Sequence, residues 1–486
     1  MAGNSTLTSV ELFTGAGGLA LGIAASGFEH RLLLEYNKHA CATLRENRAA
    51  FGVNCQIYEG DVASFDFTLF AGVDLLAAGA PCQPFSIGGK HKAHSDERNL
   101  FPQVFRAQRE IRPKAVIVEN VKGLLRESLS NFVEFIELQL AHPTVLPADP
   151  RDPEGWEAHL PTLRAARDGG DRSPFRYVVK KTLLNSANFG VPQRRERVFF
   201  VAIRADIDGD WTPPRPTHSE AALRVAMDAT ADYWTKHGIE RKARSNHPNL
   251  GKWQREAGQT LPWATVRDVV SDLPTPIAGK DAEGVLNHVG QPGAKSYPGH
   301  TGSPMDAPSK TLKAGVHGVP GGENMLRNIN GTVRYFTVRE AARIQTFPDA
   351  YKLKGAWGEA MRQIGNAVPV SLAKAVAASV RACLEQEKAA KAVQAAQPPT
   401  ARAPRLRRVF VQQELLQAVN SRASAKRIDG PHASGPIASG AVLRDRSLAR
   451  ECQNLTAKSS KAAGPIGSPS PRPAEPITEG TPASAP

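Results

Sequence analysis

Cysteine is scarce in this chain: five residues among 486, at positions 41, 55, 82, 383 and 452, with no CxxC pair and no metal-ligand spacing. So sparse and odd a set argues against a disulfide framework and suits a reducing compartment. Long apolar runs are missing too. None reaches the length that spans a bilayer, and the first residues lack the basic-then-apolar pattern of a signal peptide. The expectation is a soluble, cytoplasmic protein with no membrane partner. Acidic residues fall short of basic ones, 47 against 61, which leaves a formal net charge of +14. A surplus of that size points to nucleic acid or an acidic surface and says nothing about fold. The length allows two or three domains and a sizeable core.

What is present is organised around Ala77-Ala78-Gly79-Ala80-Pro81-Cys82-Gln83-Pro84-Phe85-Ser86. The apolar run from Val73 to Ala78 reads as a buried strand that ends in a small-residue turn carrying a cysteine. Open parallel sheets keep their chemistry at the carboxyl ends of strands, so Cys82 stands where a nucleophile belongs. Gly88-Gly89 and the basic residues Lys90, Lys92 and Arg98 follow at once. A thiol beside a hinged, positive loop fits covalent catalysis on an anionic polymer. The alternative is a cysteine that only packs.

Upstream, Ser9 to Phe13 reads as a strand, Thr14-Gly15-Ala16-Gly17-Gly18 as a turn, and Leu19 to Ala25 as a helix. A second strand, Arg31 to Leu34, closes on Glu35, and a helix follows from Asn37 to Ala50. Glycines in such a βαβ turn let the backbone approach a ligand, and Glu35 can accept hydrogen bonds from a ribose diol. Gly15-x-Gly17-x-x-Ala20 fits a nicotinamide dinucleotide equally well, so the turn leaves the cofactor open. A third strand, Cys55 to Tyr58, leads to Asp61, which can hold the amine of an adenine or cap the next turn. After the Cys82 strand, Asn99 to Arg109 has helical spacing. A fifth strand, Ala115 to Val118, delivers Glu119-Asn120-Val121 to the same sheet edge. A carboxylate there needs a partner or a task, unless it caps the following turn.

Residues 141 to 175, rich in Pro, Asp and Gly, read as a surface loop. Strands resume at 175–179 and 197–202, separated by Gln193-Arg194-Arg195-Glu196-Arg197. Those arginines are a solvated charge run or, at the lip of the sheet, a grip on phosphate or a base. From about 205 to 330 the periodicity fades, and the segment reads as a smaller, irregular domain. Within it, Thr311, Lys313 and the glycines that follow suit a polynucleotide backbone, or form a connector. Thr337 and Glu340 have capping-box spacing at the head of a helix, and another helix runs from Val370 to about Leu384. Beyond Gln386 the chain is Ala/Pro/Ser-rich, with one amphipathic stretch at 409–419, and disorder is expected.

In this order, Phe13 to Gly18, Glu35, Asp61, Pro81-Cys82-Gln83, Glu119-Asn120-Val121, Gln193 to Arg197, Arg339-Glu340 and Gly365-Asn366 resemble the motifs of the DNA (cytosine-5) methyltransferase family, in its compact bacterial, restriction-modification form. The likeness covers about 8–205 and 331–384; Thr311-Leu312 matches the short Thr-Leu element of the family's target-recognition region. Thr14 departs from the pattern, tolerably, because the backbone makes the turn.

The resemblance implies an α/β, doubly wound, mostly parallel sheet of the S-adenosylmethionine-dependent, Rossmann-like kind. It implies a catalytic and cofactor domain at 8–205, a target-recognition domain at 206–330, a return to the catalytic domain at 331–386 and a basic tail at 387–486. S-adenosylmethionine is the implied cofactor, in a pocket of Phe13, Gly15, Ala16, Gly17, Gly18, Leu19, Glu35, Asp61, Pro81, Asn366 and Ala367. Cys82 is the implied nucleophile toward cytosine C6 and Glu119 the acid at N3, with Arg195 and Arg197 in the catalytic set. No metal is implied. Gln83, Ser86, Lys90, Lys92, Arg98, Thr311 and Lys313 are the implied contacts to double-stranded DNA, whose target base must leave the stack. The further implications are a monomer, a bacterial nucleoid-associated location, and a cognate restriction endonuclease as functional partner. A transfer-RNA methyltransferase, an inactive DNA-binding homologue and a nicotinamide oxidoreductase are the competing readings.

Overall fold

The computed structural model describes residues 6–81, 100–148, 155–207, 209–242, 247–298, 300–314 and 324–396, with side chains up to 386. Cys82, Gln83, Ser86, Gly88, Gly89, Lys90, Lys92 and Arg98 lie outside the described residues, as do the glycines after Ala314 and the tail from 397 with its 409–419 stretch.

Short, β-rich runs alternating with helical periodicity build one central sheet. Its strands are β1 (Leu7–Leu12), β2 (Phe28–Glu35), β3 (Gln56–Glu59), β4 (Leu75–Gly79), β5 (Ala115–Val121), β6 (Tyr177–Asn185) and β7 (Glu196–Arg204). They lie in the order β3-β2-β1-β4-β5-β7-β6. All pairings are parallel except those of β7, which runs against both β5 and β6. The order reverses between β1 and β4, so their carboxyl ends open a crevice, the usual ligand position in such sheets.

Alternate residues of each strand face opposite layers. Val10, Leu12, Leu76, Ala78, Val116, Val118, Val198 and Phe200 pack against Phe101, Val104 and Phe105 of α3 (Phe101–Ile111) and Phe132, Phe135 and Ile136 of α4 (Ser130–Ala141). Leu75, Ala77, Ile117, Phe199 and Val201 face the other way, onto α1 (Gly18–Ala25) and α12 (Val370–Ala396). Burial on both faces is why these strands read as continuous apolar runs. Between them, α2 (Lys38–Glu46) is capped by Asn37, whose side chain accepts the His39 and Ala40 amides.

The 141–175 segment is not only a loop. It contains α5 (Trp156–Ala165), whose Leu160 and Leu163 are buried and whose Trp156 ring lies 5.1 Å from that of Phe132. Residues 206–330 are built of short pieces: α6 (Glu220–Arg224), α7 (Asp232–Lys236), α8 (Leu250–Ala257) and α9 (Val266–Val270), with the ladders β8 (His218–Ser219) to β9 (Leu261–Pro262) and β10 (Ile277–Ala278) to β11 (Val289–Gly290). Then β12 (Ser303–Pro304), β13 (Met325–Arg327) and β14 (Val333–Tyr335) form a small sheet. Tyr233, Trp234 and Trp263 close a local aromatic core there.

The chain returns through α10 (Val338–Ile344) and α11 (Trp357–Asn366). The capping box at α10 is formed: the Thr337 hydroxyl accepts the Glu340 amide and the Glu340 carboxylate accepts the Thr337 amide. By length and composition Trp357–Gln386 is long and apolar enough to cross a membrane. It breaks at Ala367, and Leu372, Val376 and Val380 are buried against the sheet, which makes it a core segment here. Helices α1 and α12 approach so closely that a Cβ on Gly22 would stand 2.4 Å from that of Ala373.

Candidate active site

The site is assembled at the carboxyl edge of β1, β4 and β5. Strand β1 ends at Leu12, and Phe13 then turns through φ +57°, with Gly15 at +56° and Gly17 at +80°. These left-handed conformations bend the chain straight into α1, and glycine adopts them without steric cost. The turn is held by Glu35 at the end of β2. Its Oε2 accepts the Gly15 amide at 2.7 Å, and its Oε1 accepts the amides of Tyr36 and Asn37 at 2.9 and 2.7 Å. From the far side, the Tyr351 hydroxyl donates to the Ala16 carbonyl at 2.7 Å.

Register then brings the other strand ends to this turn. Gly79, the last residue of β4, pairs with Glu119 on β5, and Glu119 pairs with Phe199 on β7. A Cβ on Gly79 would lie 3.7 Å from the Phe13 carbonyl and 3.9 Å from Glu119 Oε2. The Asn120 side chain donates to the Ala80 carbonyl at 3.3 Å, tying down the chain two residues before Cys82. Glu119 lies within β5 rather than beyond its end. It is buried, and Arg197 Nε sits 2.9 Å from its Oε1. Burial raises the Glu119 carboxyl above the usual carboxylate range, against the opposing pull of Arg197 and Arg195.

Arg195 is fully buried behind this pair. Its Nη1 donates to the Leu312 carbonyl at 2.9 Å and its Nη2 to the Gly365 carbonyl at 2.7 Å. The Thr311 hydroxyl donates to the Arg194 carbonyl at 2.7 Å, while Lys313 is exposed.

A cavity of about 600 Å³ unites most of these positions. Phe13, Gly15, Gly18, Leu19, Glu35, Asp61, Pro81, Asn366 and Ala367 line it, together with Glu119, Arg195 and Arg197. Ala16 and Gly17 are outside the lining: Ala16 is buried, and Gly17 is the N-cap of α1. Asp61 Oδ1 accepts the Ala63 amide, so this carboxylate caps a turn as well as facing the cavity.

Sequence reasoning missed several walls, among them Glu11, Tyr36, Leu100, Glu359 and Arg362. Tyr36 immediately follows Glu35 and is 78% exposed at the cavity; its position after a strand-end acid is the one signal that marked it. Glu11 is fully buried with Oε2 unpartnered, and burial holds its carboxyl well above the usual range. Among the described residues no cluster of His, Cys, Asp and Glu suits a metal ion.

A mostly parallel α/β sheet whose glycine turn and buried acid share one crevice defines the class, and sequence comparison gives the family. The chain belongs to the C-5 cytosine-specific DNA methylase family, whose model matches residues 7–142 and 173–382. It is 33% identical to the Type II methyltransferase M.PspPI of a Psychrobacter species, over 76% of this chain and 78% of that protein. It is 34% identical to the Type II methyltransferase M.Eco47II of Escherichia coli, over 78% and 79%. Among solved structures, the S. pombe Dnmt2 methyltransferase aligns at 17% identity over 78% of this chain and 99% of that one, with a TM-score of 0.45.

Proposed function

We propose that the protein methylates C5 of a cytosine within a specific double-stranded DNA sequence, using S-adenosylmethionine and a transient bond between Cys82 and the ring. The observation that carries the reading is the convergence of the glycine turn, the end of β4 and the buried Glu119–Arg197 pair on one cavity.

The cavity residues fit the cofactor. Its volume, about 600 Å³, is in the range of small-molecule sites. Phe13, Leu19, Val62 and Pro81 give it apolar walls, while Glu35, Asp61 and Asn366 supply polar contacts. Glu35, which also holds the glycine turn, is placed to accept hydrogen bonds from the ribose diol of the cofactor. S-adenosylmethionine, when bound there, supplies an electrophilic methyl group.

The chain's own residues prepare the other reactant. Cytosine C5 is a weak nucleophile. A Cys82 thiolate adding to C6 turns the ring into an enamine that is nucleophilic at C5, and a positive neighbourhood favours the thiolate. Glu119, whose carboxyl burial raises above the usual range, donates in its neutral form to N3 and offsets the charge that develops as sulfur adds. Arg197 holds the Glu119 carboxyl in place. After the methyl is on C5, loss of the C5 proton and expulsion of the thiolate restore the aromatic ring. None of this chemistry is accessible in a stacked duplex, so the base is flipped out, at a cost of a few kcal/mol. The Type II methyltransferase names of the relatives suggest that the methylated word protects DNA from a cognate endonuclease.

Tritiated methyl transfer to unmethylated duplex DNA, with bisulfite sequencing of the product, tests the reading. Label at C5 of cytosine in one recurring word is expected. Label confined to RNA, or none, overturns it.

A further inference from the structure

Residues 309–314 are gripped between two parts of the molecule that sequence holds far apart. On one side Pro192 to Arg194 pairs with them: the Ser309 amide donates to the Pro192 carbonyl and the Arg194 amide to the Ser309 carbonyl, at 2.8 and 2.9 Å. On the other side lies the turn at the end of α11. A Cβ on Gly365 would stand 2.4 Å from the Ala314 amide nitrogen, so this contact is backbone against backbone.

Two buried side chains bridge the gap in parallel. The Arg195 fork holds the Leu312 and Gly365 carbonyls with one guanidinium, at 2.9 and 2.7 Å. Gln193 Oε1 accepts the Leu312 amide at 3.0 Å, and its Nε2 donates to Gln345 Oε1 at 3.1 Å. Gln345 Nε2 in turn donates to the Ile364 carbonyl at 2.7 Å. Both polar groups of the Leu312 backbone are thereby tied to 364–365, next to the cavity-lining Asn366. An arginine whose planar fork spans two carbonyls fixes their separation; a point-charge ammonium does not.

We propose that Gln193 and Arg195 are positioning residues that couple the cofactor cavity to the DNA-reading segment 309–314, so that filling one favours filling the other. The proposal rests on the functional reading above, which makes the cavity the cofactor site and 309–314 part of the DNA surface. The guanidinium also lies within electrostatic reach of Glu119. Rigidifying 364–367 reduces the ordering left to be done at 311–313, and coupling of that kind is reciprocal by thermodynamic necessity.

The test is amide hydrogen exchange on the full-length protein with and without S-adenosylhomocysteine, no DNA present. In the wild type the ligand is expected to slow exchange at residues 15–17 and also at Leu312 and Lys313. In Gln193→Met, a position outside the cavity lining, the ligand should still protect 15–17 while the protection at 312–313 is lost, and Arg195→Lys should lose the 312–313 protection as well. Equilibrium titrations of the wild type should show the ligand tightening duplex DNA by roughly 5–150-fold, and DNA tightening the ligand by the same factor, with both effects reduced in the variants. Protection of 15–17 with 312–313 unchanged in the wild type overturns the coupling alone. No protection of 15–17 in the wild type overturns the cofactor reading and the coupling with it.

Discussion

At the scale of single residues, the decisive feature is a carboxyl group that burial keeps from being an ordinary carboxylate. Glu119 is raised by desolvation and lowered by Arg197 and Arg195, and the first effect wins. Its neutral form is the one that can donate to the base. Activity that depends on Glu119 is therefore expected to fall as pH rises through its raised value. Glu119→Gln should lower single-turnover methylation by about 10²–10⁴-fold, the usual worth of a positioned acid, and should remove that alkaline limb. A rapid-quench pH series on the two proteins checks this. His30 carries an opposite sign of pH dependence into stability. It is buried between the Ser9 hydroxyl and the Ala20 carbonyl, and burial lowers it from 6.5 to about 4. The unfolded chain binds the proton first, so stability is fully present above pH 6.5 and is lost as pH falls toward 4. Relative to His30→Gln, the wild type should lose roughly 3 kcal/mol by pH 4 in urea titrations. A constant difference across that range would contradict it.

At the scale of elements, the architecture depends on how closely α1 can lie on α12. Gly22 is the contact, and alanine there would place its Cβ 2.6 Å from the Lys374 amide nitrogen. Gly22→Ala should cost about 1–3 kcal/mol by overpacking, seen as a lowered urea midpoint with an unchanged slope. Elements with a local signal were legible beforehand. The glycine turn and the Thr337–Glu340 box each occupy a few neighbouring residues, and each is formed. Helix α5 was not legible, because Pro161 and the surrounding Pro, Asp and Gly hide a helix held by tertiary contacts of Trp156, Leu160 and Leu163 with α4 and the sheet. The strand ends shifted for a related reason. Glu119 reads as lying past β5, yet pairing with β7 extends the strand to Val121.

On the scale of the whole molecule, the part of the site that sequence could not reach is the part made by distant segments. Arg195 meets Leu312 and Gly365 across 117 and 170 positions, and no local pattern announces such a contact. Read locally, the same arginine is a charge run. The family match ends at residue 382, while the chain continues to 486. A protein ending at Pro398 should therefore retain methyl transfer within about twofold, a change worth less than 0.5 kcal/mol in barrier. Loss of all activity in that truncation would make the remainder part of the enzyme. The central claim is a sulfur–carbon bond from Cys82 to the base. Cys41 and Cys55 are buried and their thiols pushed up to about 12, so neither offers a useful thiolate at neutral pH. The most direct measurement is incubation with duplex DNA containing 5-fluorocytosine and S-adenosylmethionine, followed by denaturation and peptide mass mapping. A denaturation-stable adduct on the Cys82 peptide, absent in Cys82→Ser, is the result expected; methylation of ordinary duplex without any adduct on that peptide would contradict it.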